Sequence, residues 1–332
     1  MANLGTTYMG VELRNPIVAA ASSLTSSLDT IQQLERVGAG AIVINSLFEE
    51  EIELERMQFE EDLTAFDNLH PEMIRVFPEL EHGGPKEHLL YVKKAKRRAG
   101  IPVFASLNAV HRETWIDYAI QLADTGVDGL ELNFYATPTE FGVEAATIEA
   151  EQVAIVREVA QAVSIPVSVK LSAFYTNPLH VIHRLKEAGA AGFVLFNRFF
   201  QPDIDPEREE PAFPLNLSEE GDYGLSLRFT GLLYGRLTGD ICCNTGVFTG
   251  LDVVKLILAG ATCVQVASTL YKNQIVHLGT MVDELDDWMD RKGYGELAEF
   301  RGKLSQEQSH DPWAYTRAQY VRLLLRPDPL GG

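Results

Sequence analysis

One short cassette recurs along this chain of 332 residues: an apolar run, usually entered by a Gly-Ala or Ile-Pro turn and closed by a small or amide residue. It reads NPIVAAASS (15–23), GAGAIVINS (38–46), IPVFASLN (101–108), VDGLELN (127–133), IPVSVKLS (165–172), AAGFVLFN (190–197), GDICCNTG (239–246) and ATCVQVAS (261–268). Most copies are separated by an amphipathic stretch of helix length. Strands this evenly apolar are covered on both faces, as in a parallel sheet clothed by helices. Eight such βα units predict a (β/α)8 TIM barrel. The polar groups at the strand ends (Ser46, Ser106, Asn108, Asn133, Lys170, Asn197, Asn244 and Ser268) then converge on the C-terminal rim, where barrels do chemistry.

An apolar content of 46% suffices for one large core, and the formal net charge of −19 repels nucleic acid and anionic membrane alike. No signal peptide, long apolar span or basic entry helix is visible, so a cytoplasmic protein is expected. The three cysteines, Cys242, Cys243 and Cys263, all fall in strands and lack Cys-x-x-Cys spacing. They read as buried, reduced thiols, with neither a metal nor an iron–sulfur site. Neighbours in a strand point to opposite faces, so Cys242 and Cys243 are poor disulfide partners.

LGTTYMGVELRNP (4–16) alternates around Met9-Gly10 and predicts a β-hairpin capping the bottom of the barrel. Helical spacing marks residues 27–37 and 144–163, and the charged FEEEIELERMQFEEDL within 49–82 reads as a solvated helix. Residues 201–223, rich in Pro, Asp and Glu, lack a clear period and predict an excursion over the rim. The stretch 276–304 reads as a C-terminal helical extension. In the tail beyond it, Trp313, Tyr315 and Tyr320 are expected to pack on the body or on a second subunit.

Two turns carry the binding signal. Asn244-Thr245-Gly246 follows the seventh strand and Ser268-Thr269 the eighth, and both precede amphipathic segments. Backbone N–H groups there would converge on one phosphate. Lys170 closes an otherwise apolar strand, where an ammonium needs an anion or another strong acceptor. Asn133 and Asn197 each end a strand, and amides suit the edge of a planar heterocycle.

These segments, taken in order, resemble the dihydroorotate dehydrogenases. TTYMGVELRNPIVAAASS is similar to that family's start, and GLELNF, VSVKLS, GFVLFN, YGLSL, CNTGVFTGLDVVKLILAGATCVQVASTLYKN and KGYGELAEFRGKL continue the match over residues 4–304. The resemblance implies one FMN-binding (β/α)8 barrel domain over 1–304, with 305–332 as a packed tail. It implies oxidation of a CH–CH bond, with dihydroorotate to orotate as the default reaction. Carried over by position, Ala20 and Ala21 would lie by the flavin, with Ser46, Ser106 and Asn133 on its ring or ribityl chain. Lys170 would face the ring near N1 and the C2 carbonyl. Gly224, Ser226, Thr245, Gly246, Ser268 and Thr269 would hold the phosphate, while Asn133 and Asn197 reach the substrate. The implied partners are a small-molecule substrate and a soluble electron acceptor or partner redox protein, and a homodimer is expected.

The chain departs from the family at specific points. The phosphate loop, usually Gly-Thr-Gly-Gly, is Cys243-Asn244-Thr245-Gly246, and Leu227 replaces the glycine after Ser226. The orotate-binding Asn-x-Met-Gly-x-x-Asn segment is missing, and FDNLHPEM (66–73) does not replace it. In the family loop Asn-x-x-Cys/Ser-Pro-Asn the Cys or Ser is the general base. Here the loop is Asn133-Phe134-Tyr135-Ala136-Thr137-Pro138. Aligned without a gap, Ala136 takes the base position and deprotonation fails; with one inserted residue, Thr137-Pro138 matches Ser-Pro. Tyr135 and Tyr175 are further candidates. Another dihydropyrimidine or enoyl substrate, a catalytically lapsed flavin subunit, and a flavin-free sugar-phosphate barrel using Lys170 are the alternatives.

Overall fold

In the computed structural model, residues 2–49, 85–135, 138–198, 201–212, 217–316, 321 and 325 are described. Residues 50–82 of the segment with the expected helix, FDNLHPEM, Ala136, Thr137 and Tyr320 lie outside them.

The chain opens with the hairpin β1 (Thr6–Tyr8) and β2 (Val11–Leu13). Met9 and Gly10 both take positive φ, 53° and 81°, the twist that lets a two-residue turn join antiparallel strands. Eight parallel strands follow: β3 (Ile17–Ala19), β4 (Ala41–Val43), β6 (Val103–Asn108), β7 (Gly129–Asn133), β8 (Val167–Leu171), β9 (Gly192–Leu195), β12 (Asp240–Cys243) and β13 (Cys263–Val266). Each lies inside one cassette. β13 pairs with β3, and β4 pairs with β6, so the ring closes as the (β/α)8 barrel. A short β5 (Leu47–Phe48) extends the ladder beside the end of β6.

Side chains alternate between the ring's interior and the helices. On β12, Cys242 joins the inner cluster with Val18, Phe104 and Cys263, while Cys243 joins the outer one. The hairpin plugs the lower end of this interior. Tyr8 packs edge-on to Phe104 at 5.9 Å, and the Met9 N–H donates to Asp240 Oδ2 at 2.6 Å. A Cβ on Gly192 would stand 2.8 Å from the Tyr8 hydroxyl and 2.9 Å from Met9, which is why β9 starts with glycine. Above this apolar layer the interior turns polar, with Ser106, Ser168, Glu131, Lys170 and Gln265 all buried. A polar layer on an apolar floor is what places the chemistry at the rim.

One expectation is filled in and another is corrected. The excursion 201–223 contains an antiparallel hairpin, β10 (Asp203–Asp205) with β11 (Glu210–Ala212). The stretch 276–304 is α-helical from His277 to Lys292 and then has only a short 3-10 turn at Leu297–Glu299. Gly293 ends that helix in the left-handed region at φ 73°, and Tyr294 and Phe300 then fold back on Trp288, with centroids 5.0–5.6 Å apart. In the tail, Tyr315 packs on the helix Gly224–Leu233, where a Cβ on Gly231 would strike its ring, whereas Trp313 is exposed. Among the described residues no helix is long and apolar enough to cross a membrane.

Candidate active site

Lys170, the fifth polar landmark of the cassettes and fourth residue of β8, stands with its side chain inside the ring, 5% exposed. Its Nζ lies 3.6 Å from Glu131 Oε1 and donates to Gln265 Oε1 at 3.5 Å. Gln265 Nε2 in turn donates to Glu131 Oε2 at 2.5 Å. The three residues come from β8, β7 and β13, so they meet across the barrel interior. Glu131 Oε1 is buried with no hydrogen-bond partner. Ammonium and carboxylate neutralise each other there, which a low-dielectric interior requires.

A second chain of polar groups runs along the rim. Ser106 and Ser46 share a hydrogen bond of 2.7 Å, Asn133 Nδ2 donates to Ser46 Oγ at 3.5 Å, and Asn197 Nδ2 donates to Asn133 Oδ1 at 2.5 Å. Asn108 pins the strand end by donating to the Asn133 carbonyl at 2.6 Å. Four residues expected to act separately are thus one connected row.

Lys170 and Asn197 line a rim cavity of about 270 Å³, just below the roughly 300–1,000 Å³ typical of small-molecule sites. Ala20, Ala21 and Tyr135 also face it, as do Thr245, Gly246 and Ser268. Gly246, at φ 75°, forms a tight turn, and Thr245 is also left-handed at φ 72°. Its Oγ1 donates to the Phe196 carbonyl at 3.0 Å, tying the turn to the end of β9.

The remaining expected residues sit behind the wall. Ser226 Oγ is bonded to the carbonyls of Leu195 at 2.7 Å and Asn244 at 3.0 Å, and so holds two strand ends. Thr269 is buried and donates to the Phe248 carbonyl at 3.5 Å. Gly224 opens the helix Gly224–Leu233. Tyr175 donates to Gln152 Oε1 at 2.8 Å on the helix Ala145–Ala162. Burial pushes its phenol up to about 12, against the lowering effect of Gln152. Its hydroxyl thus donates away from the rim.

Glu131 and Gln265 were legible by the logic that marked Lys170: a polar side chain at an inward position of an apolar strand. Ser218 and Arg198, which also line the cavity, carried no such signal because both come from loops. The residues fit a phosphorylated planar cofactor. Small alanines leave room at one wall, a buried ammonium stands on the floor, amides edge the rim, and backbone and hydroxyl donors gather at one end. Among the described residues, no group of three or more His, Cys, Asp or Glu could hold a metal ion.

The dihydroorotate dehydrogenase family model matches residues 77–289. The catalytic subunit of dihydroorotate dehydrogenase B (NAD(+)) from Thermoplasma volcanium is 27% identical over 310 residues, covering 91% of this chain and 98% of that protein. Its namesake from Methanosarcina acetivorans is 26% identical over 312 residues, covering 90% and 94%. Dihydroorotate dehydrogenase A (fumarate) from Lactobacillus helveticus is 24% identical over 213 residues, covering 61% and 68%. The matched stretch holds Asn133, Lys170, Asn197 and both rim turns, so the barrel built around them is an oxidoreductase, and the chain belongs to the dihydroorotate dehydrogenase family.

Proposed function

We propose that this chain binds FMN in the rim cavity and oxidises a CH–CH bond, with dihydroorotate as the first substrate to test. The observation that carries the reading is the buried Lys170 ammonium, braced by Glu131 and Gln265 on the cavity floor. When bound, FMN supplies the hydride acceptor. Lys170 places a positive charge under the site, where negative charge develops on reduction. Asn197, oriented by Asn133, presents its amide to the substrate. Gly246 and Ser268 offer donors to the phosphate. Electrons then pass to a soluble acceptor or a partner redox protein.

Thr137 is the candidate base in this reading, because it alone precedes a proline in the altered loop. A threonine hydroxyl needs help to accept a proton, and Tyr135, on the cavity wall, is the candidate neighbour. Thr137→Ala should slow substrate-driven flavin reduction by about 10²–10⁴-fold while leaving FMN bound. A wild-type rate in that variant would discard the base assignment.

The purified protein should absorb in the blue and release FMN, not FAD, on denaturation. An anaerobic panel of dihydroorotate, other dihydropyrimidines and enoyl compounds then identifies the donor. The missing orotate-binding segment is the reason to carry the panel beyond dihydroorotate. Protein that stays colourless after incubation with FMN would overturn the reading, and flavin that no donor reduces would make the chain a flavin-binding subunit.

A further inference from the structure

The cavity's two lining cations, Lys170 and Arg198, have different partners. Lys170 is matched inside the barrel by Glu131. Arg198, just beyond β9, is held from outside by Asp222, Nη1 to Oδ2 at 2.7 Å. Its Nε is buried and has no hydrogen-bond partner.

Asp222 belongs to a short acidic loop, residues 217–222, that lies against the Gly246 turn. A Cβ on Gly246 would stand 2.5 Å from the Asp222 nitrogen, and the Gly221 N–H donates to the Gly246 carbonyl at 3.2 Å. Ser218, on the same loop, lines the same end of the cavity. The Gly246 N–H donates to Ser218 Oγ at 3.1 Å, and the Ser218 N–H donates to Ser268 Oγ at 2.9 Å. Glu219 pairs with Lys272 at 2.6 Å. Hydroxyl and carboxylate oxygens of one loop thus satisfy the donors that surround the Gly246 turn. A hydroxyl oxygen on a backbone N–H and a carboxylate on a guanidinium are the contacts a phosphate monoester would make in their place.

We propose that Arg198 is the charged contact for the phosphate of the flavin and that Asp222 holds its place until the phosphate arrives. This rests on the FMN reading and deepens it: Arg198 makes the site choose a phosphorylated flavin over riboflavin. The planar guanidinium presents Nη1, which Asp222 holds, and Nη2 along one edge, so once Asp222 yields it can meet two oxygens of one phosphate, with Nε as a further donor. In a chain of formal net charge −19, a local cation is needed to receive a dianion. Asp222 keeps that cation matched when no phosphate is present.

The test is a titration of the full-length protein, dialysed free of flavin, with FMN and with riboflavin, followed by flavin fluorescence. Arg198→Met should weaken FMN by about 10–150-fold, the fold-change of one charge-assisted bond, and leave riboflavin within about twofold. Arg198→Lys should recover part of the loss, because it keeps the charge without the fork. Asp222→Asn should tighten FMN relative to riboflavin by removing the competitor. Equal weakening of both flavins would overturn the proposal in favour of a structural role. Unchanged affinities with a raised KM for the reducing substrate would overturn it by placing Arg198 on the substrate instead. If the wild-type protein binds neither flavin, the FMN reading itself fails, an outcome distinct from the other two.

Discussion

Lys170 is the residue whose environment most constrains it. It shares the interior with Glu131, which is 1% exposed, so removing the ammonium strands a carboxylate. Breaking a buried pair from one side costs about 3–5 kcal/mol. Lys170→Met should therefore melt well below wild type, and Glu131→Gln added to it should recover most of the loss, because Gln265 can bond a neutral amide. The potential of bound flavin should fall in the single variant, which leaves Glu131 uncompensated, and recover only in part in the double variant, which removes both charges. Thermal melts and a redox titration read the two effects separately; a single variant as stable as wild type would show that the pair does not hold the interior together. Lys170 was legible in the sequence because a charge in an apolar strand needs an explanation. Arg198 and Ser218 were not, since their place depends on how the long excursion after β9 folds back.

The same divide between periodic and aperiodic signal holds for elements. All eight barrel strands were legible because burial on both faces leaves a predominantly apolar run. The β10–β11 hairpin was not, because Asp203, Ile204, Glu210 and Pro211 are all exposed and no buried face imposes alternation. Its turn also carries positive φ on Glu209, at 54°, without the glycine that would announce it. The helix Gly250–Ala259 shows an element fixed by its first turn. Thr249 Oγ1 accepts the Asp252 N–H at 3.2 Å, while Asp252 Oδ2 accepts the N–H groups of Phe248 and Thr249 at 3.1 and 3.0 Å. Thr249→Ala should cost about 1 kcal/mol. Burial raises the Asp252 carboxyl, but Lys255 at 3.0 Å and the N–H groups outweigh it and hold the carboxyl below its ordinary range. A depressed folded pKa stabilises above the unfolded value, near pH 4, and the benefit disappears as pH falls through the folded value. Asp252→Asn should therefore melt below wild type at pH 7, with the gap closing under pH 4. A gap that persists at low pH would assign the loss to packing instead of charge.

For the molecule as a whole, the barrel was legible from a repeated pattern, whereas the part of the cavity wall built by Arg198 and Ser218 was not, because both come from loops. The plugged lower end has a further consequence for the three thiols. Cys242 and Cys263 face each other in register across β12 and β13 above the hairpin, and Cys243 sits behind them against Thr230, with Sγ and Oγ1 3.1 Å apart. None of the three has measurable exposure, and burial pushes the thiols of Cys242 and Cys243 up, away from the reactive thiolate. A disulfide-exchange reagent should find no thiol in the native protein, then three at the rate of global unfolding. A thiol that reacts within seconds under native conditions would refute this. Gly192→Ala drives a methyl into Tyr8 and Met9 and should lift the hairpin, so that Cys242 and Cys263 react ahead of Cys243. The cysteines thus serve as a built-in stopwatch, timing how often the lower end of the barrel opens without the rest.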